Sequence, residues 1–179
     1  MAGHSTNFDS RIEILLADIT RQDTDAIVNA ANSHLAHGGG VALAIARAAG
    51  PLFIRESEEH PFVPVGGCGL TSAGELRCSH VIHAVGPAWR GGKADEPRLL
   101  ASAYRSALEL AEQIGCRSVA FPSISTGIFG YPVTEAALIA TRTVGQALRS
   151  MPQIELVRFC LFSESDLAAY EEAIAADRR

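Results

Sequence analysis

Short apolar runs alternate with longer amphipathic segments along most of the chain. The period-2 alternation or continuous apolar character of the short runs predicts strands over 12–16, 26–28, 79–85, 118–121 and 155–162. The 3.6-residue spacing of apolar positions predicts helices over 41–49, 52–60, 95–114 and 132–149, with a last helix after 163. Strands that alternate with helices predict a mostly parallel sheet with helices on both faces.

Capping residues support several of these helix ends. Asp95 is a candidate N-cap with Pro97 in the first turn, and Gly115 is a candidate C-cap of the same helix. Ser163 with Asp166 three residues later resembles a capping box at the start of the last helix.

The loops that follow strands are unusual. The polar run 29–32 predicts that the second strand ends at Val28 and that a loop continues to residue 40. Other loops are predicted over 61–69, 86–94 and 122–131. Ligands of parallel α/β sheets bind at the carboxyl ends of the strands. We therefore expect loops 29–40, 86–94 and 122–131 to meet at one edge.

The composition is that of a globular protein. With 179 residues, 47% hydrophobic and 20% charged, the chain is predicted to form one domain over 11–179 after a flexible start over 1–10. The four cysteines form no CxxC pair, no signal peptide is visible, and no apolar run is long enough to cross a bilayer. We expect a reduced, cytoplasmic protein that does not bind membranes.

The net charge of −5 disfavours nucleic-acid binding by bulk electrostatics but not the binding of a small anion through backbone N–H groups. Gly38, Gly39 and Gly40 open a helix at Val41, so their N–H groups lie at the positive end of its dipole. The run is neither a P-loop nor a G-x-G-x-x-G fingerprint. Taken alone, it is equally compatible with a flexible turn.

A second glycine-bearing loop, 123–130, carries small hydroxyls, Gly127, Gly130 and Phe129. It also fits phosphate binding or an ordinary strand-to-helix connection. Two such loops at one sheet edge suit a diphosphate, with one phosphate for each loop.

Polar residues near these loops have structural and functional interpretations. We interpret Asn29 as a turn-former or backbone tie, and Asn32 as a site residue because it precedes the glycines. Asp18 is a cap or turn residue, or an acceptor for an exocyclic amine. Cys78 and His80 share one strand face and His83 the other, which disfavours a zinc site. We expect no metal and no cofactor.

Five motifs, in order along about 12–176, resemble the macrodomain family, the ADP-ribose-binding fold. They are Ala17-Asp18-Ile19-Thr20, Val28-Asn29-Ala30-Ala31-Asn32, Gly38-Gly39-Gly40-Val41, His83-Ala84-Val85-Gly86-Pro87 and Ser125-Thr126-Gly127-Ile128-Phe129-Gly130. Segments 86–92 and 121–127 resemble the bacterial O-acetyl-ADP-ribose deacetylase branch. The resemblance implies a three-layer α/β/α sandwich around a mixed, mostly parallel sheet.

The resemblance also implies roles for individual residues. Asp18 and the Ile19 N–H would bind adenine, with Phe162 packed on its face. Ser125, Thr126, Gly127, Ile128 and Phe129 would wrap the diphosphate, with Phe129 against the distal ribose. Asn32 would hold a distal-ribose hydroxyl, and Gly39, Gly40 and Val41 would line that end.

One position departs from the pattern of that branch. The Asp that usually follows the Gly-Gly-Gly-Val run is Ala42 here, and no carboxylate occurs over 35–49. The loop instead resembles those of archaeal and viral macrodomains, several of which hydrolyse ADP-ribosyl esters without that Asp. His37 precedes the glycines and is either a polar helper or a solvated loop residue.

Three functions remain open. The first is hydrolysis of ADP-ribosyl esters on Asp or Glu side chains, or of O-acetyl-ADP-ribose, with catalysis assigned to Asn32, Gly39, Gly40 and His37. The second is a module that binds ADP-ribose or ADP-ribosylated proteins without turnover, which Ala42 supports. The third, a reader of nucleic acid or poly-ADP-ribose, is disfavoured by the charge. We expect the hydrolase.

Overall fold

Strands and helices alternate along the part of the chain that the computed structural model describes, residues 9–177. The strands are β1 (Ile12–Leu16), β2 (Ala26–Ala31), β3 (Cys68–Ser72), β4 (His80–Val85), β5 (Ser118–Phe121) and β6 (Leu156–Leu161). The helices are α1 (Gly40–Ala49), α2 (Pro51–Glu59), α3 (Glu96–Gln113), α4 (Val133–Leu148) and α5 (Glu164–Asp177), with a 3₁₀ turn at Ile19–Arg21.

The six strands form one mixed sheet in the order β1-β6-β5-β2-β4-β3. Every neighbouring pair is parallel except β3 and β4, which are antiparallel. The carboxyl ends of β1, β2, β4, β5 and β6 therefore lie at the same edge of the sheet.

Successive residues of the central strands point to opposite faces and enter different cores. Val28 and Ile82 pack against α3, α4 and α5, whereas Ile27 and Val81 pack against α1 and α2. The central strands are buried on both faces, as expected for parallel strands between helical layers. This arrangement confirms the predicted three-layer α/β/α sandwich.

The prediction that β2 ends at Val28 is wrong. Asn29, Ala30 and Ala31 continue the strand, and Asn29 lies opposite His83 of β4. Asn29 is fully buried, and its Nδ2 lies 3.1 Å from His83 Nδ1. Asn29 is therefore neither a turn-former nor a backbone tie, because its amide bonds to a side chain of the neighbouring strand.

The predicted loop over 61–69 is too long, because its last two residues begin β3. Cys68 pairs with Ala84 and Ser72 pairs with His80 across the antiparallel register. The strand lies at the edge of the sheet, where glycine-containing segments are tolerated and one neighbour is enough.

Two of the three predicted caps are confirmed. Gly115 has φ +82, and its N–H donates to Glu112 O, while Cys116 N–H donates to Ala111 O, the pattern of a Schellman C-cap. Asp166 N–H donates to Ser163 Oγ at 3.1 Å.

The third predicted cap, Asp95, is confirmed in position only, since it is the N-cap residue of α3 but its side chain does not cap the helix. Asp95 adopts a left-handed conformation with φ +65, its side chain makes no capping bond, and it pairs with Arg98 instead.

Residues 1–8 of the predicted flexible start lie outside the described residues. Asp9, which falls within the same prediction, pairs with Arg11 at 2.6 Å. The Arg11 guanidinium also donates to the carbonyl oxygens of Leu148, Met151 and Ile154. This ion pair therefore joins the start of β1 to the end of α4.

Candidate functional site

A cleft of about 960 Å³ lies at the carboxyl ends of the strands. The 3₁₀ turn, the start of α1, the loop after β5 and the end of β6 contribute to its walls. Almost all residues that the sequence assigned to a site line it, namely Asp18, Ile19, Asn32, Gly39, Gly40, Val41, Ser125, Thr126, Gly127, Ile128, Phe129 and Phe162. The two predicted anion loops therefore share one cavity.

The glycine run forms the N-terminal end of α1. Gly39 is extended, with φ −177, and Gly40 has φ +59, a conformation that favours glycine. The first hydrogen bond of the helix runs from Leu43 N–H to Gly39 O at 3.2 Å. The N–H groups of Gly40, Val41 and Ala42 precede this bond and are available to an anion in the cleft.

The loop after β5 presents more backbone donors. Within residues 9–177, none of the N–H groups from Ser125 to Phe129 donates a hydrogen bond, whereas those of Gly130 and Tyr131 bond within the loop. Ser125 holds a left-handed φ of +68, which bends the backbone there. A curved run of unpaired N–H groups is the backbone arrangement that binds phosphate.

This bend depends on Gly86, which lines the same cleft. A Cβ at Gly86 would lie 2.1 Å from Ser125 Oγ, so a side chain there would displace the loop. Trp89, three residues later, donates its N–H to Phe129 O at 2.8 Å. The segment after β4 therefore holds both ends of the loop at Ser125–Phe129.

The two glycine-bearing loops approach each other across the cleft. The Cδ1 atom of Ile128 lies 3.3 Å from the position that a Cβ on Gly39 would occupy. Ile128 is nevertheless 84% exposed. Its side chain therefore spans the opening of the cleft without being part of the core.

Asn32 uses its side chain to close its own loop. Its Nδ2 donates to Ala36 O at 2.9 Å, and its Oδ1 accepts from Ala36 N–H at 3.0 Å and from His34 N–H at 3.2 Å. Leu35, buried inside this loop, has a left-handed φ of +51. An Asn amide has two N–H donors. One of them remains for a ligand in the cleft.

Asp18 caps the 3₁₀ turn, which is one of its two predicted roles. Its Oδ1 accepts from Thr20 N–H at 2.9 Å and from Thr20 Oγ1 at 2.7 Å, which caps the 3₁₀ turn. Its Oδ2 makes no such bond, and the residue lines the cleft. Phe162, at the end of β6, is 97% exposed beside the same end of the cleft. A free carboxylate oxygen near an uncovered aromatic ring suits a flat ligand with an amino group.

His37 is the one predicted site residue that does not line the cleft. Its ring stacks on Phe53 at 5.0 Å, and both ring nitrogens are buried without a hydrogen-bond partner. Burial lowers the pKa of His37, so the neutral form is favoured. The glycines next to it reach the cleft, but its imidazole does not.

Sequence reasoning missed several lining residues. Leu16, Cys160, Leu161 and Asp166 also line the cleft. Three of them end β1 or β6, so the rule about carboxyl ends of strands could have identified them. Burial raises the pKa of Cys160 to about 12, so this side chain is a thiol and not a nucleophilic thiolate.

A second, shallower hollow of about 480 Å³ lies at the outer edge of β3. Glu56, Glu59, His60 and His80 contribute to its lining. Within residues 9–177, no three His, Cys, Asp or Glu side chains are arranged to hold a metal ion.

The comparisons with known proteins agree with this architecture. The Macro domain family model matches residues 28–140. A macro domain-containing protein of Chlorobaculum tepidum is 50% identical over 92% of this chain and 96% of its own length. A protein of Cronobacter turicensis named O-acetyl-ADP-ribose deacetylase is 48% identical over 92% of this chain and 96% of its own.

Solved structures give the same result. The macrodomain of Oceanobacillus iheyensis with ADP has a TM-score of 0.88 and 42% identity, and covers 92% of this chain and 90% of that one. A variant of that macrodomain has been solved with ADPR. The chain belongs to the macrodomain family. In residues 9–177, no helix is long and apolar enough to cross a membrane.

Proposed function

We propose that the chain binds ADP-ribose in this cleft and hydrolyses ADP-ribosyl esters. The unpaired N–H groups from Ser125 to Phe129, opposite the N-terminal end of α1, carry the proposal because they suit a diphosphate. The ADPR-bound variant of the Oceanobacillus macrodomain and the deacetylase name of the Cronobacter protein support this ligand class.

The diphosphate sets the direction of the ligand. Adenine lies at the end with Asp18 and Phe162, where Asp18 Oδ2 accepts from the amino group and the ring of Phe162 covers the base. The distal ribose then lies at the other end, beside Asn32 and the N–H groups of Gly39, Gly40 and Val41. No metal ion or cofactor is needed for this binding mode.

Hydrolysis consumes one water molecule and yields a free ribose hydroxyl and a carboxylic acid. The remaining N–H of Asn32 orients the ribose, and the backbone N–H groups at the start of α1 stabilise the negative charge that develops on the ester oxygen. Asp18 and Asp166 are the carboxylates that line the cleft among residues 9–177, and they flank the adenine end. The attacking water is therefore held by Asn32, the backbone and the diphosphate of the ligand.

His37 has no part in this proposal, because its imidazole stacks on Phe53 outside the cleft. The substrates we propose are mono-ADP-ribosyl Asp and Glu on proteins, and O-acetyl-ADP-ribose. We also propose a reducing, cytoplasmic location, which the free cysteines at 68, 78, 116 and 160 support.

The test is release of ADP-ribose from a Glu-linked mono-ADP-ribosyl protein, followed over time. We expect release by the wild type, and a decrease of about 10- to 100-fold in Asn32→Asp. Aspartate keeps the two acceptor bonds to His34 and Ala36 N–H but loses two donor bonds, the one to Ala36 O and the one to the ribose. Titration calorimetry with ADP-ribose serves as the control and should change less than the rate.

One observation favours a second function, a module that binds ADP-ribose without turnover. Ala42 lines the cleft where the related deacetylase branch carries an Asp. A wild type that binds ADP-ribose but releases none would identify this module. Release gained by Ala42→Asp would then locate the missing group.

A further inference from the structure

A largely apolar surface lies beside the cleft, on the loops after β2 and before β3. We call the exposed residues His34, Pro61, Phe62, Pro64 and Val65 the rim patch. Phe62 is 64% exposed and Val65 is 42% exposed. Isolated exposed apolar residues are common on proteins, but a contiguous set beside a binding cleft is typical of an interaction surface.

The backbone under the rim patch is firmly held. Val63 is buried, and its N–H donates to Ser33 O at 2.9 Å. Gly66 N–H donates to Val85 O at 2.7 Å, and the hydroxyls of Ser102 and Ser106 both donate to Gly66 O. The two prolines further restrict the loop. Phe62 is therefore presented on a rigid segment, so its contact with a partner requires little ordering.

The rim patch begins where the cleft ends. His34 N–H donates to Asn32 Oδ1 at 3.2 Å, and the His34 ring packs edge-on against Phe62 with 5.3 Å between centroids. Asn32 lines the cleft, whereas His34 and Phe62 do not. A group attached to the ligand near Asn32 therefore leaves the cleft next to this aromatic pair.

We propose that the rim patch binds the polypeptide segment that flanks the ADP-ribosylated Asp or Glu of a protein substrate. This inference rests on the proposed function, which puts the distal ribose beside Asn32. The patch would contact apolar residues near the modified side chain. It adds affinity only for protein-linked ADP-ribose, since O-acetyl-ADP-ribose ends at the acetyl group.

The charges around the patch favour a polypeptide over a nucleic acid. Residues 56–76 contain no Lys or Arg, and Glu56, Glu58 and Glu59 precede the patch. A phosphate backbone would find no cation in this segment and three carboxylates near it. An apolar peptide segment meets no such repulsion.

The experiment compares two substrates in Phe62→Ala and Phe162→Ala. These variants remove two exposed phenylalanines, one beside each end of the cleft. For Phe62→Ala we expect KM for a Glu-linked mono-ADP-ribosyl protein to rise about five- to tenfold, in the range of interface aromatics. KM for O-acetyl-ADP-ribose and Kd for free ADP-ribose should stay within about twofold of wild type. Phe162→Ala should raise KM for both substrates by the same factor.

The outcomes separate this inference from the proposed function. Equal effects of Phe62→Ala on both substrates, or no effect on either, would overturn the rim patch and leave the cleft assignment intact. If the wild type binds ADP-ribose but hydrolyses no ester, the rim patch is tested by binding alone. Phe62→Ala should then raise Kd for an ADP-ribosylated peptide and leave Kd for free ADP-ribose unchanged. A wild type that binds no ADP-ribose overturns the proposed function, and the rim patch with it.

Two further controls protect the interpretation. Thermal unfolding of Phe62→Ala should match the wild type, because the side chain is mostly exposed. Phe62→Tyr should restore most of the protein-specific affinity, because it keeps the aromatic surface.

Discussion

Asn32 shows how one side chain can close a loop and still keep an N–H donor for the proposed ligand. Three of its hydrogen bonds go to the backbone of residues 34–36, and they hold Leu35 in a left-handed conformation. An alanine at this position would leave these backbone groups without partners and would also remove the ligand contact. Asn32→Ala therefore mixes two effects, whereas Asn32→Asp keeps two of the three loop bonds and disturbs the loop less.

Ile128 is the residue whose removal should change ligand exchange with little effect on folding. Its side chain reaches Gly39 across the cleft, so a bound diphosphate would be covered by it. We expect Ile128→Ala to speed ADP-ribose dissociation about fivefold, which corresponds to ~1 kcal/mol of lost apolar contact.

Because Ile128 is 84% exposed, the free energy of unfolding should stay within ~0.5 kcal/mol of wild type. Stopped-flow dissociation and urea unfolding measure the two effects. Leu52→Ala, an exposed position of α2 outside the cleft, is the matched control. Dissociation at the wild-type rate would mean that Ile128 does not cover the ligand.

Among the elements, α3 stabilises a loop that precedes its own first turn. Glu96, its first residue, is buried, and its carboxylate accepts from the N–H groups of Arg90, Gly92 and Ala94 at 2.6–3.1 Å. Burial raises the pKa of Glu96, but the backbone donors outweigh it and the net pKa is lowered. The ionised form therefore anchors the loop that carries Trp89, which in turn bonds to Phe129.

Glu96→Gln should loosen this loop and thereby weaken ligand binding in the cleft, although Glu96 does not line the cleft. The amide replaces one acceptor oxygen with a donor, which faces a backbone N–H. We expect amide hydrogen exchange at Arg90, Gly92 and Ala94 to accelerate about tenfold or more, and ADP-ribose affinity to fall several-fold. Exchange measured by NMR and titration calorimetry test this.

Glu109→Gln, an exposed position of the same helix, should change neither quantity. If Glu96→Gln showed faster hydrogen exchange but unchanged ADP-ribose affinity, the 90–94 loop would have no influence on ligand binding.

Elements with strong local signals were predicted from the sequence. The glycine after α3, the apolar spacing of α1 and the short run of β5 each depend on neighbouring residues only. The end of β2 depends on a partner far along the chain, because Asn29 bonds to a histidine 54 residues away. The strand β3 depends on its antiparallel pairing with the next strand, β4. The partners of Glu96 lie only two to six residues away, yet a Glu beside a candidate N-cap gives no sign that it accepts from a loop.

For the molecule as a whole, sheet topology explains why the candidate site was easier to predict than some of the residues that hold its loops in place. The glycine loops and Asn32 follow strands, and parallel order brings the ends of those strands to one edge. His37 also follows a strand, yet it is directed away from the cleft. His37 is closer to the glycines along the chain than Asn32 is, so its sequence position gives no sign that its ring packs on Phe53 outside the cleft.

The stability of the whole molecule should depend on pH through His83, which is fully buried on the inner strand β4. In the tautomer with the proton on Nε2, Asn29 Nδ2 donates to Nδ1 and Nε2–H donates to Thr71 Oγ1 at 2.9 Å. Burial, with a smaller effect of His37 and His60, lowers the pKa of His83 from 6.5 to about 3. The folded state therefore keeps His83 neutral while the unfolded state takes up a proton.

A histidine with a depressed folded-state pKa stabilises the fold less as pH decreases. The loss begins near the unfolded-state pKa of 6.5 and continues to the folded-state pKa of about 3, at ~1.4 kcal/mol per pH unit. Between about pH 7 and about pH 5, His83 alone should lower the free energy of unfolding by about 2 kcal/mol. Urea unfolding at the two pH values measures it.

His83→Gln should lower the free energy of unfolding at about pH 7 by about 1–3 kcal/mol, because the hydrogen bonds to Asn29 and Thr71 lose their geometry. Between about pH 7 and about pH 5, its free energy of unfolding should fall by about 2 kcal/mol less than that of the wild type. Thr71→Val is the matched control, since it removes a partner of His83 and keeps the ionisable ring. It should be destabilised yet retain the pH dependence of the wild type. If the stability of His83→Gln kept the pH dependence of the wild type, the proton uptake would belong to another group, and His83 would be a packing residue only.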